Sequence, residues 1–149
     1  MNINTLKKPI DILLVDDSAS DAELTEEALS NSKVVNALHW VEDGLEALDF
    51  LRQKGKYTNA PRPDLILLDL NLPKKDGREV LAQIKADPSL RLIPVVVFTT
   101  SAAEGDILNT YELNANCYVS KPIDLDQFIS VIKLIEAFWL AVVKLPSEQ

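Results

Sequence analysis

One cysteine, Cys117, stands in 149 residues, so no internal disulfide can form, and the chain suits a reducing compartment. Basic runs are missing too. Twenty-three acidic residues against 15 basic ones leave a formal net charge of −8. A nucleic-acid-binding surface needs clustered Lys and Arg, so that class is excluded. Met1 to Lys8 carries no apolar stretch of signal-peptide type. The most apolar region, Leu125 to Leu145, is interrupted by Asp126, Lys133 and Glu136 and does not read as a membrane span. There is no internal repeat, low-complexity tract or linker. These absences leave one ordinary cytoplasmic domain, with neither nucleic acid nor membrane as partner. Its 47% hydrophobic content is enough for a core at this length.

What is present is an alternation of strand-like and helix-like segments, repeated five times. The strand-like runs are Asp11–Val15, Ala37–Val41, Leu65–Leu68, Val95–Thr99 and Cys117–Ser120. Three of them contain unbroken apolar stretches, ILLV, LILL and VVVF. Such runs mark strands buried on both faces, as in a parallel sheet covered by helices. Between them, Ser20-x-x-Glu23 and Asp43-x-x-Glu46 have the spacing of helix N-terminal caps, and Ser18 is a further cap candidate. Gly55 is placed to end the second helix, whose apolar stripe is Leu45, Leu48 and Leu51, widened by Phe50. A third helix is expected over Gly77–Ala86, stopping before Pro88. A fourth lies within Glu104–Asn114, and a fifth runs from near Asp124 toward Val143. The result is an α/β fold, a doubly wound five-stranded parallel sheet between two helical layers. Right-handed crossovers leave few topologies, and the order 2-1-3-4-5 is one of the two common ones. The expected division is an N-terminal arm over residues 1–9, a domain over 10–140 and a tail over 141–149.

In such sheets ligands bind beyond the carboxyl ends of the strands, at the switch point of the strand order. The residues at those ends are Asp16 and Asp17 after strand one, Asp69 after strand three, Thr99 and Thr100 at strand four, and Ser120, Lys121 and Pro122 at strand five. With the order 2-1-3-4-5, three carboxylates, a hydroxyl and an ammonium converge on one rim. Three close carboxylates repel, so at least one should have a raised pKa unless a cation sits among them. Mg²⁺, which prefers oxygen ligands and few carboxylates, suits the cluster. Asp69 is then placed to attack phosphorus as a carboxylate nucleophile. Lys121 and Thr99 would stabilise the charge on the transferred group.

The Asp16–Asp17 pair, the DLNLPKKDG run from Asp69 to Gly77, Thr99–Thr100 and the YVSKP run from Tyr118 to Pro122 together resemble the receiver domains of two-component signalling. The resemblance spans roughly residues 10–135 and implies the CheY-like three-layer sandwich. It implies that Asp69 is the phosphoacceptor, Asp17 a direct Mg²⁺ ligand and Asp16 a ligand acting mainly through water. It implies that the Asn71 backbone carbonyl also binds the metal, and that Lys121–Pro122 is a cis peptide. Thr99 and Tyr118 would form a switch pair, the threonine moving toward the phosphoryl group as the tyrosine ring turns inward. The stretch from Arg62 to Leu81, the QKGKYTNAP segment from Gln53 to Pro61 and the Phe138–Pro146 ending are similar to cyanobacterial phytochrome-associated response regulators. That narrower likeness implies a light-sensing histidine kinase as partner. Thr100 departs from the Ala or Gly that receivers usually carry after the switch threonine.

Several residues are better read as structure than as chemistry. His39 lies on the second strand, far from the acidic rim, and Cys117 is a packed small hydrophobe. A haloacid-dehalogenase-type phosphatase needs a second Asp two residues after its nucleophile; Asn71 stands there and cannot serve as an acid. A flavodoxin-like carrier needs a Gly- and hydroxyl-rich loop after strand one, where this chain has Asp16–Asp17. A degenerate receiver, acting only as a binding module, is at odds with Asp17, Asp69, Thr99 and Lys121 all being present. No room for a DNA-binding output domain is expected after the fifth helix, so output is expected through protein contact or onward phosphotransfer.

The fifth helix should cover the sheet with Phe128, Val131, Ile132, Ile135, Phe138, Trp139 and Val142. Ile129, Leu134, Leu140 and Val143 extend apolar surface around it, a patch large for a monomer. A homodimer through the fourth helix, fifth strand and fifth helix is therefore expected, with Ile107, Leu108, Tyr111, Ile129, Leu134 and Leu140 at its interface; the alternative is that the tail from Ala141 to Gln149 folds back over the patch within one chain.

Overall fold

The computed structural model describes residues 9–32, 34–101 and 103–142. Five strands, β1 (Ile10–Val15), β2 (Asn36–Val41), β3 (Leu65–Leu68), β4 (Val95–Thr99) and β5 (Cys117–Ser120), alternate with α1 (Ala19–Ser30), α2 (Gly44–Arg52), α3 (Gly77–Ala86), α4 (Glu104–Glu112) and α5 (Leu125–Glu136). All pairings are parallel and the order is β2-β1-β3-β4-β5. The expected arm and tail fall almost wholly outside the described residues, as does Val143.

Successive strand side chains point to opposite faces, which splits the core in two. Leu13, Val15, Ile66, Leu68, Val95 and Val97 pack with α2 and α3 on one face. Ile12, Leu14, Leu65, Leu67, Val96 and Phe98 pack with α1 and α5 on the other. Because both faces are covered, β1, β3 and β4 carry unbroken apolar runs. α4 differs from its neighbours: Thr110 is its single buried side chain among those described, so polar contacts must do much of its fastening.

Local details correct several expectations. α1 is capped by Ser18, whose hydroxyl accepts from the Asp21 N–H, rather than by Ser20. α2 ends at Gln53, which takes the left-handed conformation (φ 55°), two residues before Gly55; its N–H and that of Lys54 close the last turn. Leu45 is exposed, and Ala47 fills the buried stripe of α2 with Leu48, Phe50 and Leu51. At the end of α5 the helix widens into a π-helical segment over Ala137–Val142. An i→i+5 register replaces i→i+4 there, so Ile135 is followed on the buried face by Leu140, while Phe138 is exposed. Leu140 is thus core, and its expected place in a dimer interface is withdrawn. Ile129 is partly buried against the same core. The Asp43 cap of α2 and the span of α3 are as expected.

Candidate functional site

Asp16, Asp69 and Lys121 each sit one step beyond a strand and are pinned by one more rung of the ladder. The Asp16 N–H donates to the Val41 carbonyl (3.1 Å), that of Asp69 to Val15 (3.0 Å) and that of Lys121 to Thr99 (2.7 Å). The sheet therefore fixes the backbones, and their side chains converge where β1 and β3 lie adjacent. Gly77 is required next to them: a Cβ there would collide with the Asp69 carbonyl and Leu70 Cα, so α3 starts hard against the end of β3.

The Lys121 ammonium is the hub. Its Nζ lies 2.6 Å from Asp16 Oδ2, 2.9 Å from Asp69 Oδ2 and 3.0 Å from Asp21 Oδ2. The other oxygen of Asp69, Oδ1, accepts from Thr99 Oγ1 at 2.7 Å and from the Asn71 N–H at 3.2 Å. Asp16 Oδ1 accepts from the Ser18 N–H (2.9 Å). Asp16, Asp69, Thr99 and Lys121 are buried, whereas Asp17 and Thr100 are exposed.

Burial is the largest influence on Asp16 and pushes its carboxyl above the ordinary value, against the pull of Lys121. Repulsion from Asp69 adds only the smallest part, so the expected raised carboxyl exists, but desolvation rather than crowding dominates it. Burial pulls Lys121 down, yet its hydrogen bond and charge contacts with Asp16, and those with Asp69, more than offset this, and the ammonium is held charged.

Asp16, Asp17 and Asp69 each offer an oxygen within 4.8 Å of the others. An all-carboxylate set of this size fits a hard divalent cation of the Mg²⁺ kind. The expected cis bond at Lys121–Pro122 is not found; the described peptide bonds are all trans, the ordinary preference even before proline. Lys121 reaches its carboxylates with that bond trans.

The structure shows neighbours that the sequence reading missed. Asp21, on the first turn of α1, is one: its only sequence signal is a carboxylate three residues after the Ser18 cap, which reads as ordinary helix-dipole chemistry. Trp40 is another; its indole N–H donates to the Asp16 carbonyl (2.7 Å) and braces the turn bearing the acidic pair. A third group lies behind Thr99. The Tyr118 hydroxyl donates to the Ser101 carbonyl (2.5 Å), and the Ser101 hydroxyl to Asp106 (2.5 Å). Arg78 forks onto both oxygens of Asp106 (2.8 and 2.7 Å). The guanidinium of Arg78, with Ser101 next, draws the Asp106 carboxyl down to about 2. These bonds tie the β4–α4 loop and α4 to α3 and to Tyr118. His39 contacts Asp11 near the start of β1 (2.9 Å), away from the rim, and Cys117 is partly buried, its thiol pushed up by burial.

A doubly wound sheet with this acidic rim, threonine and lysine defines a receiver. Residues 12–133 match the response regulator receiver domain, and the chain belongs to that family of signalling proteins. Over 136 residues, 91% of this chain and 92% of the relative, it is 54% identical to response regulator Rcp1 of Synechocystis sp.. The structure of the Mn²⁺-bound form of Rcp1 superposes with a TM-score of 0.91 at 53% identity, covering 93% of this chain and all of that one. The phosphorylated cyanobacterial phytochrome response regulator RcpA gives 0.91 at 55% identity, with 94% of this chain and 100% of that chain covered. Among the described residues no helix is long and apolar enough to cross a membrane.

Proposed function

We propose that this receiver takes a phosphoryl group on Asp69 from a sensor histidine kinase of the phytochrome class, in the cytoplasm, and passes the signal on by protein contact or phosphorelay. The observation that carries it is the environment of one carboxylate: Asp69 has Thr99 and the Asn71 N–H on one oxygen and Lys121 on the other. These donors hold the nucleophile and stand where charge develops on the incoming group. An Asp69 oxygen attacks phosphorus, the P–N bond of a phosphohistidine breaks, and its electron pair leaves with the imidazole. The product is an acyl phosphate. Mg²⁺, held by Asp16, Asp17, Asp69 and the Asn71 carbonyl, would supply positive charge beside the phosphoryl oxygens. Thr99 and Tyr118 form the switch pair, and Tyr118 already reaches the β4–α4 loop through Ser101. The Mn²⁺-bound form of Rcp1 and the phosphorylated form of RcpA support the assignment, and RcpA, a cyanobacterial phytochrome response regulator, supports the kinase class.

The same reading includes a homodimer through α4, β5 and α5. Leu108, Tyr111 and Leu134 are exposed there, with Ile107 and Ile129 partly so.

The test is intact-mass measurement after incubation with Mg²⁺ and a small-molecule phosphodonor. The wild type is expected to gain one phosphate and Asp69→Asn none, with the fold intact because amide and carboxylate are nearly isosteric. A full single-phosphate gain in Asp69→Asn overturns the assignment.

A further inference from the structure

Lysine has three N–H donors, and in this site all three face carboxylates: Asp16, Asp69 and Asp21. Two of those partners have other duties. Asp16 and Asp69 belong to the cluster that fits a divalent cation, and Asp69 ceases to be a free carboxylate once an oxygen is esterified. Asp21 belongs to neither the cluster nor the reaction. It is also firmly mounted. Its N–H donates to the Ser18 hydroxyl (3.2 Å), and its carbonyl accepts from the hydroxyl of buried Thr25 (2.8 Å). Its side chain is 27% exposed, against 3% for Asp16 and 9% for Asp69, so it approaches Lys121 from the solvent side.

We propose that Asp21 is a positioning residue: it keeps the Lys121 ammonium over Asp69 when the metal and the phosphoryl group draw away the other two partners. This rests on the reading of Asp69 as phosphoacceptor. In the metal-free protein Asp21 is redundant, because Asp16 and Asp69 alone hold the ammonium. With the cluster filled, Asp21 becomes its one uncommitted anchor. One N–H stays on Asp21, and the other two are free to meet phosphoryl oxygens. A rival account makes Asp21 merely a favourable charge at the start of α1. That role disappears equally in Asp21→Asn and Asp21→Ala, since both are neutral. The positioning role survives in Asp21→Asn, whose amide oxygen accepts at the same place, and is lost in Asp21→Ala.

The experiment compares wild type, Asp21→Asn, Asp21→Ala and Asp69→Asn. It measures the phosphorylation rate with acetyl phosphate at saturating Mg²⁺, and the Lys121 ammonium resonance of ¹⁵N-lysine-labelled, unphosphorylated protein with and without Mg²⁺. Loss of one charge-assisted contact predicts a roughly tenfold slower rate for Asp21→Ala, with Asp21→Asn within about threefold of wild type. The ammonium resonance should persist in all metal-free proteins with residue 69 intact. On adding Mg²⁺ it should broaden away in Asp21→Ala alone among them. A wild-type rate and resonance in Asp21→Ala overturn the proposal. So does a loss in Asp21→Asn as deep as in Asp21→Ala. Wild type taking no phosphate, or Asp69→Asn taking it, brings down the parent reading instead.

Discussion

Lys121→Met removes the ammonium at the hub of the site while keeping an unbranched apolar stem of nearly the same length. The Lys121 side chain is 3% exposed, and in the variant Asp16 and Asp69 meet no cation. Removing one partner of a buried ion pair costs about 3–5 kcal/mol, because the other charge stays buried. Proton uptake limits that cost. Keeping a carboxyl of ordinary pKa 3.8 neutral costs about 4 kcal/mol at pH 7 but only about 1.6 kcal/mol at pH 5. Burial already pushes the Asp16 carboxyl up, and without Lys121 it rises further. A carboxyl raised in the folded state costs stability above its folded pKa and recovers it as pH falls toward the unfolded value. The variant should therefore be less stable than wild type by about 4 kcal/mol at pH 7 and by about half that or less at pH 5. Urea unfolding in chelator at both pH values measures the two gaps. Millimolar Mg²⁺, as a replacement cation, should narrow the gap at pH 7. A gap below about 1 kcal/mol at pH 7, or one unchanged between the two pH values, refutes the picture of Lys121 neutralising buried carboxylates.

Asp17→Ala should weaken Mg²⁺ binding severalfold in a calorimetric titration and raise the metal-free stability. With Asp17 exposed and carboxylate oxygens within 4.8 Å, each relieved repulsion is worth about 0.9 kcal/mol at the dielectric of water. Lower stability in chelator contradicts this. Arg78→Ala should lose a contribution to α4 that wild type retains at neutral pH. Asp106 is depressed from 3.8 to about 2, so that contribution is present above about pH 4 and vanishes as pH falls through about 2. Urea midpoints of the two proteins should therefore converge in acid, and a constant separation speaks against the Arg78–Asp106 pair as a fastening of α4. Leu134→Lys changes a side chain that is 69% exposed and should leave monomer stability within about 0.5 kcal/mol while halving the mass seen by light scattering. A monomeric wild type, with and without phosphate, removes the dimer.

The sheet was legible because its strands obey one rule. A strand covered on both faces must be apolar throughout, and ILLV, LILL and VVVF have no other comfortable home. Once the strand ends were fixed, Asp16, Asp69, Thr99 and Lys121 followed, since a parallel sheet gathers all its carboxyl ends on one side. Helix ends were less legible. Ser18 and Ser20 both offer a hydroxyl, and only the backbone conformation decides that Ser18 caps α1 (φ −91°, ψ 110°). Gln53 takes the left-handed conformation that ends α2, and Gly55, also at positive φ (60°), opens the short turn Gly55–Tyr57 instead of capping the helix.

The two larger misses have a common physical origin: in each, a side chain's partner is set by three-dimensional register rather than by type. Sequence spacing puts Phe138 on the buried face of α5 only if the helix keeps its i→i+4 register. The π-helical segment from Ala137 adds a residue to that turn and seats Leu140 on the core instead. Asp21 is the converse case. It occupies an ordinary position for a helix-start carboxylate, and nothing within α1 distinguishes it from Asp126 in the first turn of α5. The difference is made by Lys121, 100 residues away in sequence and delivered to Asp21 by the rung that joins β5 to β4. The constellation resembling other receivers could be read from residue types at strand ends. Asp21 could not, since its significance exists only through contact with a residue that the sheet brings to it.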